Sequence, residues 1–238
     1  QTPARCALLF VAGSGPVDRD GNAAGLKMDA YRQLAASLAE AGVVSLRYDK
    51  RGVGESSGDA ATASRSDLLA DVRAAWKALK AAPEASGLPC FALGHSEGTY
   101  LVEDLAAGDA GVAGLVLLCG TPRSLADVTR WQVETLLRQQ GATDAQVAVA
   151  LEQEDEYIAF VKSSRGQWSD YTSDDLLREM PWLGAAGAEQ MRASALGLAW
   201  LREHYNADPA SVLARVACPV LVLSAEKDVQ VPPGDGQA

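Results

Sequence analysis

A serine flanked by glycines lies in the segment FALGHSEGTY, residues 91–100. Ser96 is the central residue of the pentapeptide GHSEG, which follows an apolar run and precedes a helical pattern. A Gly-x-Ser-x-Gly pentapeptide between a strand and a helix is typical of a nucleophile elbow, a sharp, strained turn that has room only for small neighbours. The backbone N–H of Glu97 would then donate to a developing oxyanion at the start of the helix. The alternative is a buried glycine turn in which the serine is incidental.

Short apolar runs alternate with amphipathic segments around Ser96. The apolar runs predict strands. Each predicted strand lies at the beginning of one of the segments 6–16, 43–58, 89–98, 112–122 and 218–228. The amphipathic segments predict helices over 28–42, 66–82 and 99–107. Strands that alternate with helices indicate an α/β fold with a parallel sheet covered by helices on both faces. The elbow would expose the Ser96 hydroxyl above this sheet.

The alternation stops between about 123 and 210, where helical segments follow one another without a strand-like run. This pattern predicts a helical cap at 123–210, inserted into a core formed by 1–122 and 211–238. The cap holds four of the chain's five tryptophans, Trp131, Trp168, Trp182 and Trp200. Either they form the apolar core of the cap, or one or two of them line an apolar substrate pocket beneath it. Trp182 and Trp200 are the candidates for that pocket.

Composition excludes several classes of function. The net charge of −10 argues against a nucleic-acid or anionic-membrane partner, because like charges repel. No apolar run approaches the roughly 18–20 residues of a membrane span. No signal peptide is visible either, which predicts a cytoplasmic protein. The four cysteines form no CxxC pair and His95 and His204 are the only histidines, so neither a disulfide framework nor a metal centre is predicted. No cofactor is implied.

These features resemble the α/β-hydrolase superfamily, and in particular bacterial serine carboxylesterases with a helical cap. VAGSGPVDRDGN, residues 11–22, follows the first strand, where those enzymes place their second oxyanion donor. The resemblance implies the backbone N–H of Ser14 for this role, although Ala12 replaces the usual first histidine of the motif. LSAEKDVQVP, residues 223–232, is similar to the segment that carries the acid of the catalytic triad. The resemblance implies Asp228 as this acid; the alternative is an ordinary turn aspartate.

A third segment, YDKRGVGESSG at 48–58, is similar to the turn that these hydrolases carry after their next strand. The resemblance implies that Asp49 and Arg51 fix this turn and do not react. Salt bridges of Arg19 and its neighbouring aspartates are expected to hold the loop that follows the first strand. A direct role for Arg19 in substrate binding is the alternative.

The histidine of the triad follows the acid along the chain in this superfamily. The ten residues after Asp228, VQVPPGDGQA, contain no histidine. His95 precedes the nucleophile and is expected to be a packing residue, and His204 lies in the predicted cap, where a surface or helix-end position is expected. No catalytic histidine is therefore assigned. The resemblance implies that the first hairpin and the last strand and helix of the fold are also absent, as in the central part of a longer hydrolase.

The function predicted from the sequence is that of a serine carboxylesterase that cleaves small or medium apolar acyl esters through an acyl-enzyme on Ser96. The partner would be a small-molecule ester, and a bare sheet edge near 218–223 would allow a homodimer. Peptidase or acyltransferase activity uses the same chemistry and stays open. The competing class is a non-catalytic hydrolase scaffold that binds a ligand without turnover. A serine in place of an aspartate nucleophile argues against a haloalkane dehalogenase.

Overall fold

The computed structural model describes residues 2–194 and 196–237. Its strands are β1 Cys6–Val11, β2 Val43–Leu46, β3 Cys90–His95, β4 Gly114–Leu118 and β5 Val220–Leu223. Its helices are α1 Ala30–Glu40, α2 Arg65–Ala81, α3 Glu97–Gly108, α4 Leu125–Gln139, α5 Asp144–Ser163, α6 Ser173–Glu179, α7 Gly184–Arg192, α8 Leu198–Tyr205 and α9 Pro209–Leu213. The strands form one parallel sheet in the order β2-β1-β3-β4-β5. The α/β prediction and its parallel sheet are confirmed.

The chain divides into two compact units. The first unit contains Gln1–Ala60, Ser66–Pro122 and Pro209–Ala238, and it holds the whole sheet. The second unit contains Ala61–Arg65 and Arg123–Asp208 and consists of helices and short turns.

Buried apolar residues hold the helices of the first unit to its sheet. Leu8 and Phe10 of β1 pack with Tyr31 of α1 in one buried cluster. On α2 the buried residues recur at helical spacing, and they are Leu68, Val72, Trp76 and Leu79. A stripe of this spacing lies along one face of a helix, so α2 buries one side and exposes the other. The apolar faces of these amphipathic helices thus form part of the interior of this unit.

Exposure differs sharply across the sheet. In β4, Leu115 and Leu117 are 2% and 4% exposed, whereas Leu221 and Leu223 of the neighbouring β5 are 54% and 44% exposed. β5 pairs with β4 on one side and lies at the edge of the sheet that the described residues form. Self-association through this edge stays a prediction.

The second unit has an apolar core of its own. Its fully buried residues include Val161 of α5, Leu176 of α6 and Leu198 of α8. Two of its helices begin at threonines that form capping boxes, Thr143 before α5 and Thr172 before α6. Capping of this kind provides hydrogen-bond acceptors for the first N–H groups of a helix, which have none within the helix itself. In the described residues, no helix combines the length and the apolar character needed to cross a bilayer.

Candidate active site

Ser96 lies on the sharp turn between β3 and α3, with φ 51° and ψ −118°. Its N–H donates to the Leu118 carbonyl at 2.9 Å, and its own carbonyl accepts from the N–H of Thr99 at 2.9 Å and from the Thr99 hydroxyl at 2.7 Å. A positive φ is strained for a residue with a side chain and persists only when its surroundings hold it. These hydrogen bonds hold the Ser96 backbone in its positive-φ conformation. Ser96 is half-buried at the N-terminus of α3.

The two glycines of the elbow are required by close backbone contacts. A Cβ atom on Gly94 would lie 2.3 Å from the carbonyl oxygen of Gly98. A Cβ atom on Gly98 would lie 2.3 Å from the carbonyl oxygen of Val11, at the end of β1. Neither position can accept a side chain without a shift of the backbone. The GHSEG spacing therefore corresponds to a turn pressed against both its own helix and the neighbouring strand.

The loop after β1 passes directly beside Ser96. A Cβ atom on Gly13 would lie 3.3 Å from the Ser96 Cβ. The Gly13 N–H donates to Tyr31 Oη at 3.4 Å, and this hydroxyl lies 2.8 Å from His95 Nδ1. Ser14, the next residue, is exposed. The structure thus brings together the segments that carry Ser96, Glu97 and Ser14.

A buried ion pair lies under this loop. Lys50 Nζ is 2.8 Å from Glu97 Oε2 and 2.8 Å from the carbonyl oxygen of Gly13, to which it donates. The side chains of Lys50 and Glu97 are 10% and 3% exposed. One ammonium group therefore connects the turn after β2, the loop after β1 and the first residue of α3.

Sequence reasoning missed the roles of Tyr31 and Lys50 at this site. The signal for Lys50 was weak: a lysine and an acidic residue, Glu97, each follow closely after a predicted strand. Parallel strands bring their carboxyl ends to the same edge of a sheet, which is how the two charges meet. Nothing in the spacing of Tyr31 distinguishes it from any other apolar position of α1.

Asp49 joins the turn after β2 to the loop after β1. Its carboxylate accepts from the Arg19 N–H at 2.7 Å and from the Arg19 guanidinium at 2.6 Å and 3.1 Å. The Arg19 guanidinium holds the pKa of Asp49 well below its usual range. Arg51 forms a similar pair with Asp71 at 2.8 Å. These contacts fit a structural role for the turn after β2. The Arg19 side chain takes part in that role through its bonds to Asp49.

Asp228 lies in the turn after β5 and is half-buried. Its carboxylate accepts from the N–H groups of Gln230 at 2.8 Å and Val231 at 3.0 Å. Burial raises the pKa of the Cys119 thiol after β4, and the Asp228 carboxylate raises it further. Burial lowers the pKa of His95, and Asp228 acts in the opposite direction. Asp228 is thus close enough to act electrostatically on residues at the ends of β3 and β4.

The two histidines occupy different environments. His95 is half-buried and contacts Tyr31 both by its ring nitrogen and by an edge-on ring contact at 5.9 Å. His204 was expected at the surface or at a helix end: it lies near the end of α8, and because it is only 1% exposed the surface alternative is wrong. It stacks on Trp200 with ring centroids 4.5 Å apart, and its Nδ1 lies 3.2 Å from the Trp200 carbonyl oxygen. Packing of the imidazole against an aromatic ring keeps it in the interior of the second unit.

The tryptophan candidates also lie in the second unit. Trp182 is 38% exposed and donates from Nε1 to Glu156 Oε2 at 2.7 Å. Trp200 is half-buried beside His204. Within residues 2–194 and 196–237, no group of three or more His, Cys, Asp and Glu side chains is arranged to hold a metal ion.

Family and structural comparisons agree with this geometry. Residues 24–238 match the model of the family described as "Serine aminopeptidase, S33". The chain belongs to this family, and its fold is that of the α/β hydrolases. Esterase EstD of Thermotoga maritima is 29% identical over 130 residues, which make up 55% of this chain and 30% of that protein. The match thus spans less than a third of the length of this relative.

Solved structures of α/β hydrolases are similar in fold. The α/β hydrolase GrgF from Penicillium sp. sh18 has a TM-score of 0.61 at 16% identity, over 99% of this chain and 76% of that chain. A hydrolase from Pseudomonas aeruginosa has a TM-score of 0.54 at 22% identity, over 98% and 76%. The esterase EaEST from Exiguobacterium antarcticum has a TM-score of 0.52 at 17% identity, over 99% and 79%. The resemblance to α/β hydrolases, esterases among them, is confirmed.

Proposed function

We propose that this chain carries the nucleophile of a serine carboxylesterase that acts on small or medium apolar acyl esters. One observation carries the proposal: Ser96 lies at positive φ at the N-terminus of α3, with the Gly13 loop beside it. A hydroxyl held in this way can attack a carbonyl carbon, while N–H groups on two sides can receive the charge that develops on the carbonyl oxygen.

The reaction would proceed in two halves. Ser96 Oγ attacks the ester carbonyl carbon and loses its proton to a base, and the N–H groups of Glu97 and Ser14 bind the oxyanion. The C–O bond to the alcohol breaks, and the alcohol leaves with the proton. Water then attacks the acyl-enzyme in the same way and releases the acid. Asp228 would orient the base and stabilise its charged form.

Neither histidine of the sequence is assigned as this base. His95 lies beside Tyr31, and burial lowers its pKa. His204 is packed against Trp200 in the core of the second unit. When one triad member is missing, binding and oxyanion stabilisation still leave roughly 10³–10⁴-fold catalysis over water. The 238-residue chain is therefore expected to be a weak esterase by itself.

The test is the variant Ser96→Ala in the full-length natural protein. Turnover of p-nitrophenyl esters should fall to background, and a fluorophosphonate probe should label the wild type alone. Ser37→Ala is the matched control, because Ser37 is exposed on α1 and its hydroxyl donates to the Gln33 carbonyl of the same helix. Near wild-type turnover by Ser96→Ala would overturn the proposal. A wild-type protein that binds esters without turnover or labelling would favour the non-catalytic scaffold.

A second candidate activity is removal of N-terminal residues from peptides, and the family description favours it. The acyl-enzyme chemistry is the same, so the fold and the elbow do not decide between the two leaving groups. Aminoacyl p-nitroanilides assayed beside a series of short, medium and long acyl esters distinguish them. A kcat/KM that is higher for the anilides would replace the esterase proposal by the peptidase.

The helical cap and its pocket stay predictions. If the 123–210 segment sets substrate size, truncation of Trp182 or Trp200 to alanine should change acyl-length preference more than turnover of acetate esters. Trp182 is the cleaner test, because it is partly exposed and its loss leaves the buried cluster of the second unit intact. Equal effects on all chain lengths would contradict a pocket role.

A further inference from the structure

The buried pair of Lys50 and Glu97 is costly in energy and lies next to the proposed oxyanion site. Burial removes both charges from water, and a pair of apolar residues often stabilises an interior as well or better. Both side chains are nevertheless at least nine-tenths buried, and the Lys50 ammonium also donates to the Gly13 carbonyl oxygen at 2.8 Å. Because the Lys50 ammonium also binds the Gly13 carbonyl, its charge acts on the loop after β1 and has a role beyond stabilising the fold.

The Gly13 carbonyl belongs to the peptide group whose N–H is that of Ser14. This group is planar, and none of the peptide bonds between described residues is cis, so its C=O and N–H point in opposite directions. A cation that holds the carbonyl oxygen therefore determines the direction in which the Ser14 N–H points. The Gly13 N–H is held from the other side by Tyr31 Oη. Gly13 is thus fixed through both of its backbone polar groups.

The same ammonium acts on the second proposed donor. Glu97 supplies the other N–H, and its carboxylate lies 2.8 Å from Lys50 Nζ. Without a counter-charge, a buried carboxylate near the start of α3 would oppose negative charge on a nearby oxyanion. Lys50 offsets that charge while it orients the Ser14 peptide. A charged donor also polarises the amide that it binds, which makes the N–H a stronger donor.

We propose that Lys50 is the positioning residue of the oxyanion hole: it orients the Ser14 N–H through the Gly13 carbonyl and neutralises Glu97. This inference deepens the proposed function and depends on it. Lys50 does not touch the substrate in this arrangement. Its removal should therefore affect stabilisation of the transition state more than binding of the ester.

The first experiment compares Lys50→Met with Lys80→Met in the full-length natural protein. Lys80 is the matched control, because it is an exposed lysine of α2 that lies 3.7 Å from Asp109. Lys50→Met should lower kcat for p-nitrophenyl esters about 10²-fold, the effect of losing one oxyanion donor. KM should change less than about threefold, because the interaction acts mainly in the transition state. Affinity for a trifluoromethyl ketone, whose adduct places an oxyanion in the site, should fall in parallel with kcat. Unchanged kcat and ketone affinity would overturn the inference.

Two further variants separate orientation from neutralisation. Glu97→Gln keeps an acceptor for Lys50 and leaves the ammonium on the Gly13 carbonyl, so kcat should fall at least about tenfold less than in Lys50→Met. Lys50→Met with Glu97→Gln removes both charges but leaves the Gly13 carbonyl without its cation. The double variant should therefore recover only part of the rate that Lys50→Met loses. Recovery to the wild-type rate would show that Lys50 acts only as a counter-charge and would contradict a positioning role.

A crystal structure of the wild-type protein with a phosphonate on Ser96 tests the geometry even if Lys50→Met does not fold. The Ser14 and Glu97 nitrogens should lie within about 3.1 Å of one phosphonate oxygen, while Lys50 Nζ stays on the Gly13 carbonyl. A phosphonate oxygen that Ser14 does not reach, or a Lys50 that contacts the phosphonate itself, would refute the inference. Failure of the proposed function gives a different result, because Ser96→Ala would then turn over or be labelled like the wild type.

Discussion

Two turns at the carboxyl edge of the sheet carry the proposed nucleophile and the proposed acid, and they are built in opposite ways. The Ser96 turn follows β3, which has β1 on one side and β4 on the other. The Asp228 turn follows β5, whose four residues are all exposed. The nucleophile is therefore held by a buried strand between two neighbours, and the acid by a strand at the edge.

The contacts of the two turns differ in the same way. Ser96 is held by Leu118, which is distant in sequence, and Lys50 joins the first residue of α3 to two other loops. The carboxylate of Asp228 accepts from N–H groups two and three residues further along the chain. Long-range contacts make the elbow depend on the whole core of its unit. Local hydrogen bonds shape the Asp228 turn with much less help from that core.

The largest functional difference is expected between a methyl group added in the Ser96 elbow and one added in the C-terminal segment. In Gly98→Ala the new Cβ would lie 2.3 Å from the Val11 carbonyl oxygen. Overpacking of this kind costs about 1–3 kcal/mol or more, which exceeds the gain of about 1 kcal/mol from replacing glycine in a helix. Gly234→Ala meets no atom within 4 Å and is the matched control in the C-terminal segment.

Urea denaturation checks this prediction. The free energy of unfolding should fall by about 1 kcal/mol or more in Gly98→Ala, from the balance of these two terms. It should change by no more than about 0.5 kcal/mol in Gly234→Ala. Labelling of Ser96 by a fluorophosphonate should be lost only in the first variant. Equal stability of the two variants would show that the elbow is less tightly packed than its contacts indicate.

A difference in stability alone, without loss of the nucleophile, is expected between two neighbouring strands. Leu117→Ala in β4 removes a side chain that is 4% exposed, and Leu223→Ala in β5 removes one that is 44% exposed. Truncation of a buried leucine costs about 2–5 kcal/mol, whereas a half-exposed leucine should cost about 1 kcal/mol because less apolar area returns to water. Thermal and urea unfolding measure the loss of stability in each of the two variants. A cost at Leu223 as large as that at Leu117 would mean that β5 is covered in the protein tested, by further chain or by a second copy.

The smallest effect concerns the electrostatic link between the two turns. Burial lowers the pKa of His95, so the folded protein binds its proton less readily than the unfolded chain. The contribution of this group to stability is full above pH about 6.5 and is lost as the pH falls from there through the lowered pKa. Wild type should therefore lose more stability between pH 7.5 and 5.5 than His95→Gln.

Asp228→Asn sharpens this test, because the Asp228 carboxylate partly counteracts the effect of burial on His95. Its removal should lower the pKa of His95 further, which NMR titration of the imidazole measures directly. An unchanged His95 titration in Asp228→Asn would place the two turns farther apart than the structure has them.

Much of the elbow could be predicted from the spacing of a few residues. GHSEG between an apolar run and an amphipathic segment is a local pattern, and its glycines meet close backbone contacts in the structure. The strand and helix segments were predictable for the same reason, because short apolar runs and the helical spacing of apolar residues are properties of neighbouring residues. His204 was expected at the surface or at a helix end: its place near the end of α8 is a local feature, but its burial against Trp200 depends on how α8 packs.

The sequence by itself determined the parallel α/β fold, the strand–turn–helix around Ser96 and the order of serine before Asp228. Only the tertiary structure decided that Lys50 reaches Gly13 and Glu97 and that Tyr31 holds Gly13. The physical reason is the distance along the sequence between the residues that interact. Turn and helix preferences depend on residues within a few positions of one another, whereas a buried ion pair between positions 50 and 97 forms only when separate strands end at the same edge of one sheet.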